Sequence, residues 1–258
     1  MRSLLLLTNR HRAPSTNRTF GFLLAFNAGA INAGGFLVLH RYTSHMTGFA
    51  SQLGDALVTG KTWLLLGALG AILAFMIGAA TCAVLINLGR HYRLHSLYAL
   101  PLLLEAALLF PFGLAGADTV RWMTPFAVPI TVLLLSFMMG LQNAVASNSS
   151  KGSIRTTHMT GNLTDFGIEL GKFLYWKSAR SPRGDGVRHS TSRMAMTSGL
   201  MVMFVVGGGI GALGFKYVGF ICVVPLAALL LALAVPDLVR DVPWRRTSTP
   251  SRIFKPRT

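Results

Sequence analysis

HMTGFASQLGDAL (His45–Leu57) returns in the second half of the chain as HMTGNLTDFGIEL (His158–Leu170), with six of thirteen positions identical. Upstream of each copy stands a second shared element. Gly29-Ala30-Ile31-Asn32-Ala33 is matched by Gly140-Leu141-Gln142-Asn143-Ala144, with two residues more before the His in the second copy. Internal similarity at a spacing of over a hundred residues means duplicated halves rather than a solenoid of short repeats. Each copy also follows a long apolar segment, so a repeated polar motif in an oily chain marks the expected working centre.

The rest of the sequence sets that duplication in a bilayer. With 258 residues, 52% of them hydrophobic, 12% charged and a mean hydropathy of +0.53, the chain is too apolar for an ordinary soluble domain. Stretches close to the length of a bilayer crossing recur near Phe20–Leu39, Trp63–Leu88, Leu97–Leu114, Pro125–Ala146, Met196–Phe215 and Val218–Val235. Lipid offers no hydrogen bonds to a bare backbone, so these read as helices. The Leu4–Leu7 run is too brief for a signal-peptide core, which leaves the first span to act as the insertion signal.

Net charge +16 suggests a polyanion partner until the charges are sorted. Six spans with a cytoplasmic N-terminus put twenty of the twenty-four Lys and Arg on the cytoplasmic side, leaving Arg41, Lys61, Arg121 and Lys216 outside. This is the positive-inside pattern of a multi-pass membrane protein. It disfavours nucleic-acid binding. Cys82 and Cys222 both fall inside spans, where a thiol acts as a small buried hydrophobe, and neither has metal or redox spacing.

Organisation follows from the count. A basic tail (1–19) precedes two halves, 20–116 and 120–236, and a second basic tail (237–258) closes the chain. Three spans per half is an odd number, so the halves enter the membrane from opposite sides. The expected fold is therefore an all-α integral membrane protein of six transmembrane helices in two inverted three-helix repeats, each with a short amphipathic or re-entrant helix. Residues 176–193 read as a mobile basic loop, and Pro243, Pro250 and Pro256 are expected to interrupt any helix in the C-terminal tail.

The chemistry concentrates at the duplicated motif. Thr47 and Thr160 read as N-caps of the short helices, and Gly48 and Gly161 as points of sharp turning or close approach. Thr47, Ser51 and Asp55 share the polar face of the first helix, while Thr160, Thr164, Asp165 and Glu169 supply that of the second. Two arrangements fit. Either each helix dips into the membrane and offers its N-terminus to an anion, or both lie in the headgroup layer. Duplication favours the first arrangement, because inverted repeats place paired broken elements around one site.

On that reading Asn32, His45, Thr47, Gly48, Ser51, Asn143, His158, Thr160, Gly161, Asn162 and Thr164 form the substrate site. Arg41 and Arg155 draw the anion. His45 and His158 are proton carriers or ligands, or else hydrogen-bonded residues that order the turns. Glu105, the one acid well inside a span, and Asp165 are candidates for charge or proton coupling. Small-residue pairs such as Gly29 with Ala33 and Ala74 with Gly78 serve helix packing. No cofactor, metal or catalytic signature stands out, so an enzyme is not expected.

GAINAGGF…SHMTG and MGLQNA…IRTTHMTGNLTDFG resemble the YoaK-type family of bacterial membrane proteins of unknown function, over most of residues 20–236. The resemblance implies a six-span inner-membrane protein and no settled substrate. Two departures stand out: Asn32 replaces an acid frequent in such proteins, and Phe49 replaces the polar Asn that Asn162 retains. The functional expectation is a transporter of a small solute, an anion or carboxylate in its sharpest form. The alternative is a non-transporting interaction or scaffold protein acting through its basic loop and tail. The expected partners are the lipid bilayer, the solute and a second copy in a homodimer.

Overall fold

The computed structural model describes residue 8 and residues 14–39, 42–122, 127–150, 152–178 and 190–244. Among the described residues the chain is all helix: α1 (Pro14–Leu39), α2 (Met46–Thr59), α3 (Thr62–His91), α4 (Ala99–Trp122), α5 (Ala127–Ser149), α6 (Met159–Ser178), α7 (Thr191–Tyr217) and α8 (Val223–Trp244). Six are long and apolar enough to cross a membrane, over Ser15–Leu37, Thr62–His91, Ala99–Ala117, Ile130–Ser149, Thr191–Tyr217 and Gly219–Val239. These segments overlap the six spans expected from sequence.

Differences fall at the ends. α1 begins at Pro14, a residue suited to a first turn because it has no N–H to leave unpaired. α6 and α7 take in residues 176–178 and 191–193 of the expected loop, and 179–189 lie outside the described residues. α8 runs on through Pro236 to Trp244, so Pro243 does not break it as expected. Gly60, with φ near 67°, ends α2 by donating its N–H to the Ala56 carbonyl.

Burial sorts the helices. Of the spans of α1 and α5, 67% and 56% is buried inside the protein, against 22% for each of α3 and α7. α1 and α5 are therefore central, and α3 and α7 turn wide apolar faces outward, Leu66, Leu73 and Met76 on one and Val202, Val205 and Ile210 on the other. A water-soluble protein does not carry such a belt; a lipid-embedded one needs it.

Packing runs across the sequence halves. α1 lies against α7 and α5 against α3, α2 rests on α3 and α6 on α7, and α4 packs on α8. Both principal crossings are built the same way. At one, Phe26-x-x-Gly29 of α1 meets Phe204-x-x-Gly207 of α7, and a Cβ on either glycine would collide with the other helix's Phe carbonyl. At the other, Phe75-x-x-Gly78 of α3 meets Phe137-x-x-Gly140 of α5 in the same reciprocal manner. Backbone thus touches backbone near the middle of four helices, a contact only glycine permits.

Two acids near the end of α8 tie down the neighbouring connections. Asp237 accepts hydrogen bonds from the backbone N–H (2.9 Å) and hydroxyl (2.6 Å) of Thr8. Asp241 accepts from the backbone N–H groups of His95 and Ser96 and from the Ser96 hydroxyl, holding the turn between α3 and α4. Both carboxylates are buried, so each has its charge met by donors as burial requires.

Candidate functional site

Each HMTG sequence is drawn back toward the middle of the molecule by an asparagine. The Ser44 hydroxyl donates to Asn32 Oδ1 at 3.1 Å, and the Thr157 hydroxyl to Asn143 Oδ1 at 2.7 Å. Asn32 stands seven residues before the end of α1, about 10 Å back along the axis at 1.5 Å per residue. The chain therefore leaves α1, doubles back and starts α2 beside the helix it has just left. α5 and α6 repeat the arrangement.

The histidines then fold over the glycines of their own motifs. A Cβ on Gly48 would strike the His45 ring, and one on Gly161 the His158 ring. That contact accounts for glycine three residues after each histidine: the imidazole occupies the space of a side chain. His45 is itself the N-cap of α2 and makes no side-chain capping bond. Thr47 and Thr160 lie inside the first turns of α2 and α6, so the N-cap role expected of them is not theirs.

These elements surround one cavity of about 900 Å³. Asn32, His45 and Thr47 line it from the first half, and Asn143, Arg155, His158 and Thr160 from the second. Phe75 and Phe204, the aromatic residues of the two glycine crossings, also reach its wall. Phe36 and Tyr42 stack at 4.6 Å between ring centres and close one side. Among the described residues its lining includes no carboxylate.

The remaining sequence candidates lie elsewhere. Gly48 and Gly161 stand behind the imidazoles rather than on the cavity wall. Asn162 is buried and donates to the Arg155 carbonyl at 2.9 Å, bracing the loop that carries Arg155. Ser51, Thr164 and Asp165 are exposed on α2 and α6 and do not line the cavity. Arg41 lies outside the described residues. Glu105 is fully buried in α4, with Asn27 Nδ2 donating to its Oε1 at 3.5 Å, and stands apart from the cavity lining.

Sequence reasoning passed over the hydroxyls of Ser44 and Thr157, although each directly precedes a motif histidine. It also passed over the four Phe-x-x-Gly elements, whose recurrence one per helix was visible. Glu169, expected on the polar face of α6, is instead buried. Its carboxylate accepts from the Ser190 backbone N–H (2.7 Å) and Lys172 Nζ (3.0 Å), with Arg193 at 3.8 Å. The Ser190 hydrogen bond first, then Lys172, holds its pKa below the ordinary 4.5. It fastens α6 to the start of α7.

Residues 20–235 match the family described as a protein of unknown function (DUF1275). The chain belongs to that family. It is also 26% identical over 234 residues, 90% of each chain, to the UPF0700 transmembrane protein YoaK of Bacillus subtilis (strain 168). No solved structure matches. Membership in this family places the chain among multi-pass membrane proteins in contact with the lipid bilayer, and says nothing of a solute.

Proposed function

We propose that this DUF1275 protein is a carrier of a small organic anion across the bacterial inner membrane, with its binding site in the cavity between the two HMTG sequences, and not an enzyme. One observation carries the reading. Two motifs over a hundred residues apart in sequence line a single cavity, together with a guanidinium and, among the described residues, no carboxylate. Two histidines add donors, and α2 and α6 both begin at the cavity, each bringing the partial positive charge of a helix N-terminus.

The same proposal treats the halves as an inverted repeat, α1 to α4 against α5 to α8, with both termini in the cytoplasm. Exchanging α1 with α5, α2 with α6, α3 with α7 and α4 with α8 turns α1–α7 into α5–α3, α2–α3 into α6–α7 and α4–α8 into itself, which supports it, whereas α4–α5 finds only a slighter counterpart in α8–α1. So do the like crossings and the like Asn–hydroxyl bonds. α2 and α6 are then re-entrant, since each begins beside the interior of a span. Glu105, apart from the cavity, is the residue to carry a coupled proton.

Thiol accessibility tests this. With Cys82 and Cys222 replaced by Ser, Thr47→Cys and Thr160→Cys are each treated with a membrane-impermeant thiol reagent in vesicles of either orientation. A carrier that alternates exposes both positions to both sides. Labelling of each position from one side only, unchanged under every condition, would sink the carrier reading.

A further inference from the structure

The two halves line the cavity alike in plan and unlike in charge, and this narrows what fits there. The second half supplies Arg155, His158 and Thr160, with Arg155 Nη1 3.5 Å from His158 Nδ1. The first supplies Asn32, His45 and Thr47. Asn32 is more than nine-tenths buried, and its Oδ1 is taken by Ser44, so its Nδ2 is left without a partner among the described residues. Asn143, its counterpart, spends Nδ2 on the Met139 carbonyl at 3.0 Å. An unspent donor on a buried side chain in a cavity wall is a group awaiting an acceptor. The lining also includes the apolar Gly29, Ala33, Phe75, Phe204 and Gly208.

We propose that the cavity takes a linear dicarboxylate, one carboxylate at Arg155 and the other at Asn32 and Thr47, with its methylene chain across the phenylalanines. This rests on the anion-carrier reading above and goes beyond it in assigning two charged ends. The charge balance agrees. Arg155 supplies one positive charge and each helix start about half of one, together about two, which matches a dianion. A monocarboxylate held at Arg155 leaves Asn32 Nδ2 and the start of α2 without an anionic partner. A neutral diamide leaves the guanidinium bare.

The test is calorimetric titration of the full chain in lipid nanodiscs at pH 7 with glutarate and adipate, with butyrate and hexanoate, and with adipamide. The dicarboxylates are expected to bind at least tenfold tighter than the monocarboxylates of the same length, and adipamide not at all. Arg155→Ala abolishes binding of both acid classes. Asn32→Ala brings the dicarboxylates down to the monocarboxylate level, and Thr47→Val, which spares the Asn32–Ser44 bond, does so in part. Equal binding of mono- and dicarboxylates would overturn the two-ended site while leaving an anion carrier standing. Tight binding of adipamide would overturn it as well. Absence of binding by any carboxylate would remove the two-ended site and the anion reading together.

Discussion

The two HMTG regions share a skeleton and differ in how it is braced. In both, an asparagine of the preceding span holds the hydroxyl that precedes the histidine, and the imidazole lies over a glycine. The residue after the motif then diverges. Phe49 sinks into an apolar cluster with Ala68 and Ala71 on α3, whereas Asn162 turns back to the Arg155 carbonyl. α2 is 14 residues long and ends at a glycine turn; α6 is 20 and is fastened to α7 through Glu169. Duplication preserved what positions the histidine, and the divergent residues decide what each side does with it. A polar side chain braces the loop of Arg155, and an apolar one sits in the half from which no cation among the described residues lines the cavity.

The comparison breaks most violently at the crossings. Gly29→Leu and Gly140→Leu each force a branched side chain into a helix–helix backbone contact. Each is expected to cost about 3 kcal/mol or more, read as lost monodispersity or a collapsed unfolding midpoint in detergent. Equal damage from both would support the equivalence of α1 and α5; damage from only one would break it.

Finer discrimination comes from Gly48→Ala and Gly161→Ala. Alanine favours a helix over glycine by about 1 kcal/mol, so stability should hold, while each methyl pushes an imidazole out of place. We expect a loss of anion affinity of about tenfold, or about 1.4 kcal/mol, with little change in the unfolding midpoint. An unchanged affinity would remove the histidines from the site.

The smallest effect concerns Glu169, which has no counterpart in α2. Its folded pKa lies below 4.5, so the stability it contributes is present above that value and is lost as pH falls through the lowered one. Wild type should unfold at a slightly higher temperature than Glu169→Gln at neutral pH, and the gap should close on acidification below pH 4.5. A gap that persists in acid would assign the difference to packing instead.

Much of this was legible in the sequence. Span positions were readable because a bilayer leaves an apolar segment of that length a single structural option. The HMTG motif pointed at its cavity because polar residues repeated in an oily chain stand out against their background. What escaped detection lacks such contrast. Gly29 and Gly78 read as packing positions and Gly207 as a flexible point or a tight contact, but which carbonyl each meets was hidden, since a glycine in an apolar helix looks the same whatever it faces. Thr47 satisfied the usual composition of a cap, yet the helix is capped two residues earlier than expected, at His45. Nor does sequence order reveal that Asp237 pairs with Thr8, since that contact joins the two ends of the chain.

The exchange of partners between halves also fixes an order of events during synthesis. α1 leaves the ribosome before α7, and the glycine it docks against, Gly207, is made 178 residues after Gly29. At ordinary elongation rates of roughly 5–20 residues per second, α1 sits in the membrane for about ten to forty seconds with its Phe26–Gly29 groove uncovered. The oldest part of the molecule is thus among the last to be closed.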